Sequence, residues 1–567
     1  MNFKVLIIIG ILLALIIVAS IQSLIKEKIN LKKRLLASYG KSSKRKISDD
    51  EMQTIARYFN MRKEMIDAST GKMPFYIDDI TWNDLDMDRF YALINNCKSS
   101  AGQEYLYKRL RMPENDLGKA LYFDKLAKFF DQNEDCRIKV QKIFVKLGIT
   151  KKISVSDYIS SLMQLEAEKN TIHVIALLAM LLSFVVAFAV NPVIGILMII
   201  ASVSFSIISY YRYKAKVEPY FICFTQLVKM VKAADQVVKL DIEALGHNND
   251  KLDTISHDFS KLVKNSWLLT STNVNGSFVE MIMDYLRMLT HVDLMRFNSC
   301  LNYLDGMESE VFDLFETLGL IEASICVASF RRTIPYWSEP RFTKDKNLMV
   351  KDLYHPLIKN PVSNSLASER NVLLTGSNAS GKSTFLKSVA VNALLAQTIY
   401  TSLSSAYKAP FFRIYSSMAL RDSLSSQDSF YMVEIKALKR ILDAIDDQSK
   451  EEPVLAMIDE VLKGTNTVER IAASSQILKN LKDKNVLVFA ATHDIELTSM
   501  LAREYDNYHF MEEVSQDEVR FDYKMQEGPA TTRNAIKLLK MMGYDKKIIR
   551  DAESEAEFFT QMGAWRK

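Results

Sequence analysis

Gly376-Ser377-Asn378-Ala379-Ser380-Gly381-Lys382-Ser383 satisfies the spacing G-x-x-x-x-G-K-[ST] at every fixed position. Those residue types suit one ligand chemistry, a nucleoside triphosphate such as ATP or GTP. Backbone N–H groups of a glycine-bounded loop and the first turn of the helix opened by Thr384 face the phosphates. Lys382 would neutralise the β/γ charge, and Ser383 would set its hydroxyl on Mg²⁺. Two more groups complete such a site. Asp459-Glu460 can hold Mg²⁺ through the first carboxylate and orient the attacking water with the second. Thr492-His493-Asp494 would bring His493 near a γ-phosphate. Taken alone, Asp459-Glu460 also fits a solvated strand end, and His493 an ordinary surface imidazole.

These groups need elements to carry them. Asn371–Thr375 is an apolar run bounded for a buried parallel strand, and Thr384–Gln397 has apolar residues three and four apart, as a helix requires. Val454–Ile458 and Val486–Ala491 predict two further buried strands, ending at the acidic pair and at Thr492. Open α/β sheets bind ligands at the carboxyl ends of their strands. The pattern predicts a doubly wound α/β domain with a phosphate-binding loop, placed in the C-terminal part of the chain.

Five ordered segments resemble the MutS-type ATPases of DNA mismatch repair and their relatives. They are Thr375–Gln397, Asp422–Glu434 (DSLSSQDSFYMVE), Ile458–Thr467 (IDEVLKGTNT), Ala491-Thr492-His493 and Glu527-Gly528-Pro529-Ala530. The resemblance is strong over residues 340–567. It implies an ATPase using ATP and Mg²⁺, a homodimer, and DNA as ligand. It also makes Ser429 the residue that reaches the γ-phosphate of the partner subunit. The chain departs from the family pattern inside the loop, where Ser377, Ala379 and Ser380 replace proline, methionine and glycine. Gln427 and Phe430 replace a glycine and a threonine near Ser429. Glu527 replaces a proline.

Upstream the resemblance is weaker. Asp86–Pro113 resembles the start of the family's helical core, and His355-Pro356 with Val362-Ser363-Asn364 its approach to the nucleotide pocket. Phe278–Phe330 contains no proline and keeps helical spacing, which fits one long helix or two helices broken near Gly306 or Gly319; the resemblance, through the family's long lever helix, implies the first. The family's mismatch-reading N-terminal domain has no counterpart in the opening residues.

Those residues carry a different signal. Val5–Ile25 is an uncharged run of 21 residues, and Ile172–Val190 and Val193–Tyr211 are apolar runs of 19 residues separated by Asn191-Pro192. A helix rising about 1.5 Å per residue crosses a hydrocarbon core of roughly 30 Å with such lengths. The first run is also compatible with a cleaved signal sequence, and the other two with a buried core pair. Lys26–Lys46 holds nine basic residues against Glu27, and Arg212, Lys214 and Lys216 follow the third run. Positive flanks stay inside. Three spans, an outside N-terminus and a cytoplasmic ATPase at the cell membrane follow. The basic run suits anionic lipid beside a span, with DNA as the other reading.

The 73 basic and 68 acidic residues give a net charge of +5, too mild to declare a nucleic-acid binder. Five cysteines at 97, 136, 223, 300 and 326 form no close pair in sequence, which points to a reducing compartment and no zinc site. The expected organisation is an anchor at 1–25, a basic linker at 26–80, helical core at 81–170 and a membrane hairpin at 171–211. A lever follows at 212–339, an ATPase domain at 340–530 and a helical dimerisation tail at 531–567. The expected function is a membrane-anchored, DNA-gripping ATPase clamp. The rival is a mechanical, transporter-type membrane ATPase acting on another substrate.

Overall fold

Several helices of this chain start where capping chemistry puts them: Asp78, Ser154, Asn191, Asn466 and Asp545 each accept from a backbone N–H of the turn they open. The structure is a computed structural model. It describes residues 18, 22–23, 25–42, 46–70, 74–150, 154–265, 278–377, 380–418, 430–447, 449–462, 465–514, 519–530, 536, 539–540, 542–563 and 565–566. The chain divides into two compact units. One holds Met1–Met73, Ile94–Lys108 and Lys125–Phe330, and the other Pro74–Leu93, Arg109–Asp124 and Arg331–Lys567. The result is a helix-rich N-terminal region followed by mixed α/β sheets.

The first unit is helical throughout its described residues. Helix Thr171–Ala189 is followed by Pro192–Val238, and the Asn191 side chain accepts from Val193 N and Ile194 N while Pro192 opens the second helix. The two helices approach closely through small residues: a Cβ on Gly195 would collide with the Ala187 backbone, and Ser183 Oγ lies 3.4 Å from Ser202 Oγ. Both helices are long and apolar enough to cross a membrane, a weak indication taken alone. Most of the expected first span, Val5–Ile25, lies outside the described residues.

The single lever helix expected over Phe278–Phe330 is instead three helices, Phe278–Thr290, Val292–Leu304 and Glu308–Arg331. His291 breaks the first junction in a left-handed conformation (φ +53°), and Gly306 (φ +76°) breaks the second. Gly319 stays helical, because its missing side chain admits Tyr105. Nearby, Glu322 accepts from the backbone and hydroxyl of Ser99 and from Lys98 N. Gly102 leaves room for that carboxylate. Ser99 and Gly102, one turn apart, thus serve one buried carboxylate, the first by bonding it and the second by making room.

Among its described residues the second unit holds ten strands. A four-stranded sheet contains β1 (Arg341–Phe342), β2 (Leu348–Leu353), β3 (Asn364–Ser368) and β5 (Ala406–Ala409), in the order β1-β5-β2-β3. A six-stranded sheet contains β4 (Asn371–Thr375), β6 (Arg413–Ser417), β7 (Val454–Asp459), β8 (Val486–Ala491), β9 (Tyr505–Val514) and β10 (Val519–Glu527). Its order is β10-β9-β4-β8-β7-β6, parallel except for the β9–β10 edge pair. β4 and β8 are buried along their whole length. Such unbroken apolar runs belong to parallel strands covered on both faces.

Helix Lys382–Ile399 follows β4 and is buried over nearly every turn. Its C-terminal carbonyls are closed by arginines: Arg109 Nε donates to Thr398 O (2.6 Å), and an Arg331 terminal nitrogen to Ile399 O (3.2 Å) and Tyr400 O (3.0 Å). Cations at this end also complement the helix dipole. Segments 74–93 and 109–124 pack with this sheet unit. The Asp84 carboxylate accepts from Ser416 Oγ (2.6 Å) and Met418 N (3.0 Å), fixing the end of β6.

Candidate functional site

The loop after β4 is built around two glycines in conformations that side chains resist. Gly376 has φ +140°, and a Cβ there would lie 2.7 Å from Phe510 O. Gly381 has φ +112° and directly precedes helix Lys382–Ile399, with the Tyr523 ring against the place a Cβ would occupy. Thr375 Oγ1 accepts from Ala530 N at 2.9 Å, and His509 Nδ1 lies 2.9 Å from Gly528 O. The Glu527–Ala530 segment is thereby tied to the root of the loop.

Lys382 is buried, and its Nζ donates to Gly376 O (2.6 Å) and Ser377 O (2.7 Å). The ammonium thus sits folded against the loop it follows. Ser380 Oγ is buried and finds no hydrogen-bond partner among the described residues. A cavity of about 750 Å³ opens beside these groups. Ser377, Gly381, Lys382, Ser383, Thr384, Asp459 and Glu460 all line it. Asn378 and Ala379 of the loop, and Ser429, lie outside the described residues.

Ser383 Oγ donates to Asp459 Oδ2 at 2.5 Å. The hydroxyl and carboxylate converge from the start of a helix and the end of β7. This all-oxygen pair at the cavity wall fits a hard cation such as Mg²⁺, whose remaining positions phosphate and water would fill. Glu460 follows in a left-handed conformation (φ +61°), as does Leu462 (φ +59°). Two such non-glycine residues in one turn mark stored strain of the kind found at working sites. The Glu460 N–H donates to Ala491 O at 2.9 Å, so the turn after β7 is pinned to the end of β8, two residues before His493. His493 Nδ1 lies 3.5 Å from Glu460 Oε1. The Glu460 carboxylate pulls the imidazole pKa above its ordinary value, with Asp494 adding to it, while burial and Arg470 oppose.

The structure therefore brings Lys382, Ser383, Thr384, Asp459 and Glu460 to one cavity, with His493 against Glu460. The rest of the lining includes Val362 and Asn364, which the resemblance placed at the approach to the pocket, and Ile358, Phe510 and Tyr523, which sequence reading missed. Asn364 holds that part of the lining together: its side-chain nitrogen donates to Tyr523 O (3.0 Å), and its Oδ1 accepts from Met525 N (2.8 Å). His355, flagged with Pro356, also lines the cavity, where burial pushes its pKa down to about 4. It is a neutral polar group there.

Residues 372–560 match the family model for MutS domain V. Domain V is the ATPase domain of MutS-family proteins, and the match supports membership of that family. The matched stretch begins in β4 and takes in the glycine-bounded loop, Asp459-Glu460 and His493. The helical unit, with its two long apolar helices, lies upstream of the domain V match.

Proposed function

We propose that this chain is a membrane-anchored MutS-like ATPase that binds ATP with Mg²⁺, hydrolyses it and works as a homodimeric clamp on DNA. One observation carries the reading: Lys382, Ser383, Asp459 and Glu460 face a single cavity inside a segment matching MutS domain V. Lys382 would leave its loop carbonyls for the β/γ-phosphates. Ser383 and Asp459 would hold Mg²⁺, which supplies charge neutralisation at the phosphates when bound. Glu460 would accept a hydrogen bond from the attacking water and orient it, with His493 steadying the carboxylate. The cavity wall at Ile358–Val362 and Tyr523 offers apolar and aromatic surface for the base. Ser429 is proposed to complete the partner's site across the dimer.

Two helices whose large apolar residues face outward support the membrane part of the reading. Phe188 is 89 % exposed and Val193 69 %. The same helices favour, as a second reading, a mechanical ATPase with a membrane substrate. The test is ATP turnover by the purified full chain. Wild-type protein should hydrolyse ATP and Lys382→Ala should not; equal turnover by both would reject the site. Crosslinking of the same protein to duplex DNA then decides between clamp and membrane machine.

A further inference from the structure

Arg470 sits one turn into helix Thr467–Asn480, outside the residues assigned above, and forks across the end of β8. Its Nε donates to Asp494 Oδ2 at 3.0 Å, and one terminal nitrogen donates to Asp494 Oδ1 at 2.6 Å. The same terminal nitrogen lies 3.3 Å from His493 Nε2. Both Arg470 and Asp494 are well buried, with side chains 13 % and 8 % exposed. A guanidinium carries only donors. His493 Nε2 must therefore act as the acceptor in this contact, which leaves the ring proton on Nδ1. Nδ1 is the nitrogen that faces Glu460 Oε1 at 3.5 Å, a loose approach of the kind catalytic groups show before substrate binds. Asp494 Oδ1 lies 3.6 Å from Nε2, beyond hydrogen-bond range, and both its oxygens already accept from Arg470. The alternative Nε2–H tautomer would point its proton at a cation.

We infer that Arg470 is a positioning residue, which fixes His493 as the Nδ1–H tautomer and so aims a hydrogen-bond donor at Glu460. This rests on the ATPase reading for its consequence, but the tautomer itself does not depend on turnover. The ring nitrogen left free by one hydrogen bond is the one available for chemistry. Arg470 thus acts through His493 on the carboxylate that orients water. A cation in the first turn of a helix is also electrostatically misplaced, since the N-terminal end favours acids. Here Asp494 offsets that, and the contact to His493 gives the arginine a use that a simple ion pair would not need.

Two measurements test it. The chain has seven histidines, so ¹⁵N-imidazole labelling of the full chain gives few resonances, and His493→Gln identifies the relevant pair. At mildly alkaline pH the wild type should show a protonated Nδ1 and an unprotonated Nε2 at His493. Arg470→Gln should move that balance toward Nε2–H. In steady-state kinetics Arg470→Gln should lower kcat roughly tenfold or more with KM for ATP little changed. Arg470→Lys, which keeps the charge but loses the fork, should fall between. An Nε2–H tautomer in the wild type would overturn the inference. So would unchanged turnover in Arg470→Gln beside an active wild type. Absent turnover in the wild type would instead reject the ATPase reading, and the resonances would still decide the role of Arg470.

Discussion

Each polar side chain in the cavity is asked for a different contribution, so each should fail differently. Asp459→Asn keeps the shape of the group that meets Ser383 but removes its negative charge toward a cation. ATP turnover should drop and be partly restored by excess Mg²⁺; a deficit that Mg²⁺ cannot move would remove Asp459 from metal binding. Glu460→Gln retains a hydrogen-bonding group and loses the carboxylate. ATP should bind and persist, with turnover down on the order of a hundredfold or more, in line with loss of a general base. Near-wild-type turnover would take Glu460 out of the mechanism. The residues Lys382, Ser383, Asp459 and Glu460 were legible because glycine-loop chemistry and strand-end carboxylates have fixed local spacing. The rest of the lining was legible only in part: Val362 and Asn364 carried a resemblance, and Ile358, Phe510 and Tyr523 left no signal. Asn364, Phe510 and Tyr523 are far apart in sequence and meet only because β10 folds back along β9 toward β3. Arg470 left a fainter trace, a cation where a helix start prefers an acid, which carries meaning only once Asp494 and His493 are seen beside it.

Elements show where local pattern suffices and where packing overrules it. The strands around the loop were readable from unbroken apolar runs, and the break between the two long apolar helices from the Asn191-Pro192 turn signal. The lever was not. Gly306 announces a break, but His291 adopts its left-handed conformation without any glycine or proline signal, while Gly319 stays helical to admit Tyr105. Buried carboxylates are a second feature that pattern could not supply. Burial raises Glu104 and Glu322 from 4.5 to about 7, despite hydrogen bonds to Ser154, Val155 and Ser156 for the first and to Lys98 and Ser99 for the second. A carboxyl whose folded pKa is raised holds its proton more tightly when folded. Its stabilising effect is full below about pH 4.5 and is lost as pH rises toward about 7. At about 1.4 kcal/mol per pKa unit, each group disfavours the folded state by on the order of 3 kcal/mol above that window. The helical unit should therefore lose stability between those pH values, and Glu104→Gln with Glu322→Gln should flatten that slope in denaturant titrations. A slope identical in wild type and double variant would refute the assignment.

At the scale of the whole molecule, the proposal of a membrane-held clamp makes claims about ligand and placement that can each be measured. If DNA is the ligand, the mild net charge of +5 leaves affinity to lysines and arginines contacting phosphates. Binding should fall steeply with salt and should not favour a mismatch, for which a wedge at the kinked base step would be needed. A preference of roughly tenfold for a single mismatch, about 1.4 kcal/mol, would overturn that expectation. The proposed membrane placement rests on how the two apolar helices pack. Their contact is lined by Gly195, Ala187, Ser183 and Ser202, small groups that let backbones approach. Leu178, Leu181, Leu182 and Val185 on one helix, and Ile196, Leu197 and Ile200 on the other, face outward. A pair built to be a soluble core would reverse this, with large side chains inside. In lipid there is no hydrophobic drive between helices, so small-residue contacts and outward apolar bulk are the expected pattern. If the pair spans a membrane, Arg212, Lys214 and Lys216, just past the third apolar run, would lie on the cytoplasmic side. A reporter active only in the cytoplasm should work after Ser48 and at Lys567, and fail when inserted between Asn191 and Pro192. Activity at that turn would mean that the hairpin does not cross, and that its exposed apolar face must be covered by protein instead.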